Sequence, residues 1–155
     1  MPTPSGPANG PELETVHLLR AASVELALHS ARFAQLNGLH PTDVRALIAL
    51  MDARRAGEET TAGRLGAALG LNSAGTTALV DRLERAGLVR RVRGEGDRRR
   101  VVIEAEERAV ALGWDYFGPL IERSAELLRG YDEGQRAAIQ GFLAGVRDAA
   151  AAERE

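Results

Sequence analysis

Between Glu12 and Leu36 apolar residues return every three or four positions, at Leu13, Val16, Leu19, Ala22, Leu26, Phe33 and Ala34. Side chains spaced this way share one helical face, so the segment is predicted to be a helix. Leu18, Val24 and Leu28 trace a second stripe, and a helix apolar on two sides needs two partners. Gly38 breaks the pattern. Pro41, Thr42 and Asp43 then suit the first turn of a second helix, with Val44, Leu47, Ile48 and Met51 as its buried stripe. The segment RAGEETT reads as a loop, and Thr61 can cap a short third helix ending near Leu69. Gly63 and Gly66 weaken that helix, each by about 1 kcal/mol relative to alanine. Gly70 and Leu71 make a tight break before Asn72, a good N-cap for the helix SAGTTALVDRLERAG. Helices joined by so short a turn must cross steeply.

Val89 to Arg93 and Val101 to Ile103 are rich in β-branched residues and flank a loop containing Gly94 and Gly96, the pattern of a β-hairpin. Helix, turn, helix and hairpin make a winged helix, so the fold class is mainly α with a small β-hairpin wing. Beyond it, Glu104, Glu106 and Glu107 favour a helix start through the dipole. Val110, Trp114, Phe117, Ile121 and Leu128 continue a stripe that Gly118-Pro119 is expected to bend. Asp132 with Gln135 offers a capping box for a last helix packed through Ile139, Phe142, Leu143 and Val146. Residues 1–11, with four of the six prolines, are expected to form a disordered tail, and AAAERE at the other end is expected to fray.

In the fourth helix Thr76, Leu79, Val80 and Leu83 fall on one face at helical spacing and form its packing side. Ser73, Ala74, Thr77, Ala78 and Arg82 then look outward. A solvated helix face usually carries long charged side chains, whereas the first two turns here are short and nearly uncharged. Two readings follow. Small residues let a backbone approach a DNA groove, with Ser73 and Thr77 free for base edges or phosphates and Arg82 for a phosphate. Alternatively, another helix covers this face.

Charge adds to this picture through its distribution. The formal net charge is -2, yet from Arg82 to Arg100 eight arginines face only Glu84, Glu95 and Asp97, so this stretch carries +5 and the remainder -7. One-sided positive charge attracts a polyanion in a salt-dependent way, and the competing reading is pairing with the chain's own acidic remainder. With Arg98 and Arg99 at its tip, the hairpin can enter a minor groove, where negative potential is focused. All 20 basic residues are arginine, which carries no functional weight.

Cysteine is absent, which excludes disulfides, thiol switching and cysteine-ligated metals. No nucleophile, base and orienting group fall into a catalytic spacing, so the chain is read as a non-enzyme without a cofactor. His17, His29 and His40 are scattered and read as structural or solvated rather than as metal ligands. The N-terminus has neither the basic start nor the apolar centre of a signal peptide, and no apolar run reaches spanning length, so a cytoplasmic location away from membranes is expected.

The string LGLNSAGTTALVDRLERAGLVRRVRGEGDRRR resembles the DNA-binding core of the multiple antibiotic resistance regulator (MarR) family. LVDRLE, then GLV, then the tip DRR form a specific combination, and the likeness runs from Gly38, in GLHPTDVRALIAL, to Ile103. The resemblance implies a triangular homodimer, with residues 12–36 and 104–150 as dimerisation helices and 38–103 as the winged helix-turn-helix lobe gripping a pseudo-palindromic operator. It implies a repressor released by a small aromatic or amphipathic effector, in a pocket where Phe33, His40 and Trp114 are the residues to watch. It also implies that Asp97 orients Arg99. The surface expected to face DNA thus comprises Thr61, Asn72, Ser73, Ala74, Thr77, Arg82, Asp97, Arg98 and Arg99. Two departures stand out. Gly75 replaces a hydroxyl or larger side chain and is expected to loosen the start of the recognition helix, and Ala105-Glu106 loses a helix cap. The alternative function is a winged helix that docks proteins without binding DNA. Salt separates the two, because DNA binding weakens steeply with salt and exceeds random-sequence binding by roughly a thousandfold.

Overall fold

A computed structural model describes residues 10–97 and 99–154; most of the expected tail, through residue 9, and Arg98 lie outside the described residues. The elements run α1 (Pro11–Leu36), α2 (Pro41–Arg55), α3 (Ala62–Leu69), α4 (Ser73–Arg85), β1 (Val89–Arg93), β2 (Val101–Ala105), α5 (Glu107–Arg129) and α6 (Glu133–Ala152). They divide into two compact units, the first ending at Val110 and the second beginning at Ala111, within α5.

In the first unit, Pro11 opens α1, a position where its missing N–H costs nothing. Only Phe33 and Ala34 of this helix are buried, while Leu18, Val24, Leu26 and Leu28 are each more than half exposed. The two predicted stripes therefore stay largely uncovered in the single chain. Helix α2 buries Val44, Ala46, Leu47 and Leu50, whereas Ile48 is 41% exposed. This corrects the expected stripe. The helix packs on α1, α3 and β2 together, so its buried arc is broader than one stripe and turns toward Leu50.

Helix α3 starts at Thr61, whose Oγ1 accepts from the Arg64 N–H at 3.3 Å. It ends at Gly70, whose φ of 67° is the left-handed conformation glycine adopts without a Cβ clash. The Leu71 N–H then donates back to the Gly66 carbonyl at 2.8 Å, closing the turn. Gly66 is buried where α3 meets α4: a Cβ there would overlap Thr76 Oγ1 and stand 3.2 Å from the Leu71 carbonyl oxygen. The glycine that weakens α3 as a helix is thus what lets the two helices touch.

Strands β1 and β2 pair antiparallel, with Val89 opposite Ala105, Arg91 opposite Ile103 and Arg93 opposite Val101. The second strand is two residues longer than the hairpin pattern indicates. Glu104, expected at a helix start, instead lies in β2 opposite Arg90, because the ladder continues to Val89 and Ala105 and buries Ile103 and Ala105 on either side of it; its carboxylate meets the Arg90 guanidinium at 2.9 Å. Ile103 N–H donates to the Thr60 carbonyl at 2.7 Å, fastening β2 to the segment before α3. Leu65, Leu79, Val80, Leu83, Val89 and Val102 form the centre of this unit, each at most 3% exposed. Burying each such side chain contributes about 1.5–3 kcal/mol before entropy is counted.

In the second unit α5 continues through Pro119 as one helix. At the start of α6, Gln135 N–H donates to Asp132 Oδ1 at 2.8 Å and Asp132 N–H to Gln135 Oε1 at 2.9 Å, the reciprocal box read from the sequence. Helix α6 buries none of its described residues: of the stripe expected to pack, Phe142 and Leu143 are 41% and 48% exposed while Ile139 and Val146 are half-buried. Helicity persists to Ala152, into the segment expected to fray. No helix among the described residues is long and apolar enough to cross a membrane.

Candidate nucleic-acid interface

Helix α4 turns Thr76, Leu79, Val80 and Leu83 inward, and the hydroxyl of Thr76 donates to the Asn72 carbonyl at 2.9 Å, satisfying a buried polar group. Ser73, Ala74, Thr77 and Ala78 are exposed, so no helix of the described chain covers the small outer face. Asn72 caps the helix by accepting from the Gly75 N–H at 2.8 Å. Gly75, expected to loosen this turn, gives its N–H to the cap. The cap bond secures it, and a Cβ at position 75 would come within 3.2 Å of Asn72 Oδ1.

Arg82 departs from its expected part. Its guanidinium turns to Asp43 on α2, with Nη2 donating to Oδ1 at 2.5 Å and Nε lying 3.1 Å from Oδ1 and 3.2 Å from Oδ2. Asp43 is 1% exposed and also accepts from the His40 N–H at 2.9 Å. A buried carboxylate needs such partners, which explains why Arg82 is drawn off the outer face. The Asp43 hydrogen bond raises the Arg82 pKa above its ordinary value, against desolvation, so the cation persists at any working pH.

The arginine cluster is also largely answered from within. Arg90 meets Glu104 at 2.9 Å, Arg91 bridges Asp81 at 2.6 Å and Glu84, and Arg100 faces Glu59 at 3.4 Å. Hydrogen bonds to Glu104 and to Asp81 raise the Arg90 and Arg91 pKa values in turn. Intramolecular pairing thus accounts for much of the local +5. At the tip, Asp97 Oδ1 accepts from the Arg99 backbone N–H at 2.9 Å, while no ion pair among the described residues joins the two side chains. Asp97 therefore shapes the tip backbone rather than gripping the guanidinium. Arg99 is exposed, and Arg98 lies outside the described residues.

Asn72, Ser73, Ala74 and Thr77 come together at the start of α4, with Thr61 half-buried as the cap of α3. Of the effector candidates, Phe33 is a core residue at 3% exposure and His40 precedes α2, both in the first unit. Trp114, 55% exposed, belongs to the second unit and lies 3.3 Å from where a Cβ on Gly118 would stand. A cavity of about 410 Å³ opens behind the wing, lined among others by Leu50, Arg54, Glu59, Arg90, Val92 and Ile103. None of these residues stands among the sequence candidates. Sequence reasoning also misses Asp43, Glu59, Asp81 and Glu84, because each partner arginine lies seven or more positions away and leaves no local periodic signal.

The MarR family model matches residues 37–100. An uncharacterised HTH-type transcriptional regulator of Bacillus subtilis (strain 168), YcgE, is 38% identical over 137 residues, 88% of this chain and 86% of its own. Among solved structures, a mutant MepR from a multidrug-resistant S. aureus clinical isolate superposes with a TM-score of 0.70 at 18% identity, over 87% of this chain and 96% of MepR. S. aureus MepR in its DNA-binding conformation gives 0.64 at 18% identity over 87% and 97%. NadR in complex with 4-hydroxyphenylacetate gives 0.63 at 20% identity over 94% and 97%. Together with the winged helix described above, these matches establish that the chain belongs to the MarR family of helix-turn-helix transcriptional regulators.

Proposed function

We propose that two copies of this chain bind one DNA duplex and repress transcription in the cytoplasm until a small aromatic or amphipathic molecule releases them. The observation that carries the reading is the outer face of α4, where Ser73, Ala74 and Thr77 are short and exposed beside an arginine-tipped wing. Each α4 would enter a major groove, the two about 10 bp apart, and each wing would add minor-groove contacts through Arg99 and Arg98. The uncovered apolar residues of α1 and of α6 supply the surfaces that a second copy would bury. A ligand releases DNA only if it binds the incompetent arrangement of the two lobes better than the competent one. That NadR holds 4-hydroxyphenylacetate favours an aromatic acid as the class to screen first.

Selection from random duplex DNA tests the reading. It should return two related half-sites about one helical turn apart, and repeating it with Thr77→Ala should change the preferred bases. Failure to enrich any sequence, or binding insensitive to salt, would instead support the protein-docking alternative.

A further inference from the structure

The wing needs a fixed placement relative to α4 if both are to meet one duplex, and a single carboxylate touches both limbs of its loop. Glu59 Oε1 accepts from the Glu95 backbone N–H at 3.1 Å on the outgoing limb, and Oε2 faces Arg100 Nη1 at 3.4 Å on the returning one. The loop itself is closed by the Gly94 N–H donating to the Arg100 carbonyl at 2.8 Å and the Arg100 N–H to the Asp97 carbonyl at 2.9 Å. Glu59 thus touches residues on either side of this closure. Glu59 is in turn held from α3, because Arg64 donates to its carbonyl at 2.9 Å and pairs with Glu58 at 2.7 Å. Two residues on, Thr61 caps α3, which meets α4 at Gly66 and Thr76. An unbroken set of contacts thus runs from the helix start to the tip.

We propose that Glu59 is a positioning residue for DNA binding: it holds the wing so that Arg99 reaches the minor groove in register with α4. The inference rests on the DNA reading above. It makes a counter-intuitive prediction of sign. Removing a negative charge from beside a polyanion and releasing Arg100 should tighten binding if Glu59 were only a counter-charge. As a clamp, its removal loosens the tip and weakens binding.

The test measures binding by fluorescence anisotropy, at several salt concentrations, of full-length protein and its Glu59→Gln, Arg99→Ala and doubly substituted forms to a selected duplex. Thermal unfolding is followed in parallel to confirm that each folds. Glu59→Gln should weaken binding about tenfold and lower the salt slope by about 1, the worth of one phosphate contact. In the Arg99→Ala background the same change should have no further effect, because a clamp with nothing to position does nothing. Equal or tighter binding by Glu59→Gln would overturn the inference, as would an equal loss with and without Arg99. If the unaltered protein binds no duplex, the DNA reading fails and takes this inference with it, an outcome distinguishable because every form is then alike.

Discussion

Helix α4 and the wing lie next to each other in the chain and are held by opposite means. Helix α4 is fixed by burial of Thr76, Leu79, Val80 and Leu83, and by the ion pair of Arg82 with the buried Asp43. The wing has a buried base at Val89, Val102, Ile103 and Ala105, but its loop from Gly94 to Arg100 hangs on polar contacts to Asp97 and Glu59. Apolar burial changes little with moderate salt, whereas an exposed ion pair such as Glu59–Arg100 weakens as salt rises. The difference teaches that the part presenting small side chains is set by its core, while the part presenting arginine is set by a few exposed polar contacts, one of them an ion pair.

Three substitutions probe this contrast, beginning with the largest effect on stability. Leu83→Ala removes a side chain that is 1% exposed and should cost about 3 kcal/mol in urea unfolding. A loss below about 1 kcal/mol would show that α4 is not fixed by its core. Asp43→Asn leaves Arg82 without its charged partner; because that arginine is 40% exposed and can hydrate, the loss should be about 2 kcal/mol rather than the larger value of a fully enclosed pair. An unchanged urea midpoint would demote the pair to an ornament of the surface. Arg99→Ala should leave stability within about 0.5 kcal/mol yet reduce duplex affinity about tenfold and the salt slope by about 1. Gel shifts showing wild-type affinity would remove the wing from the interface and erase the contrast.

Local signals carried much of the fold. The 3.6 periodicity of Thr76, Leu79, Val80 and Leu83, and the caps at Thr61, Asn72 and Asp132, can be read residue by residue because their partners lie within one turn. What escapes such a reading is set by distance along the chain. Arg82 pairs with a carboxylate 39 positions earlier, so its direction is a tertiary property. Glu104 joins β2 rather than α5 because the pairing with β1 extends to Ala105 opposite Val89, and α2 buries Leu50 because it packs on several elements at once. The small outer face of α4 is legible from composition, whereas the acids that neutralise the neighbouring arginines are not.

The tight crossing at Gly66 has a bearing on redesign. Redesign of the outer face of α4 has freedom at positions 73, 74 and 77, which are exposed, but little at the buried 76, whose hydroxyl occupies the space an alanine Cβ at 66 would claim. Positions 66 and 76 form one steric unit, and any new outer face must be built around it.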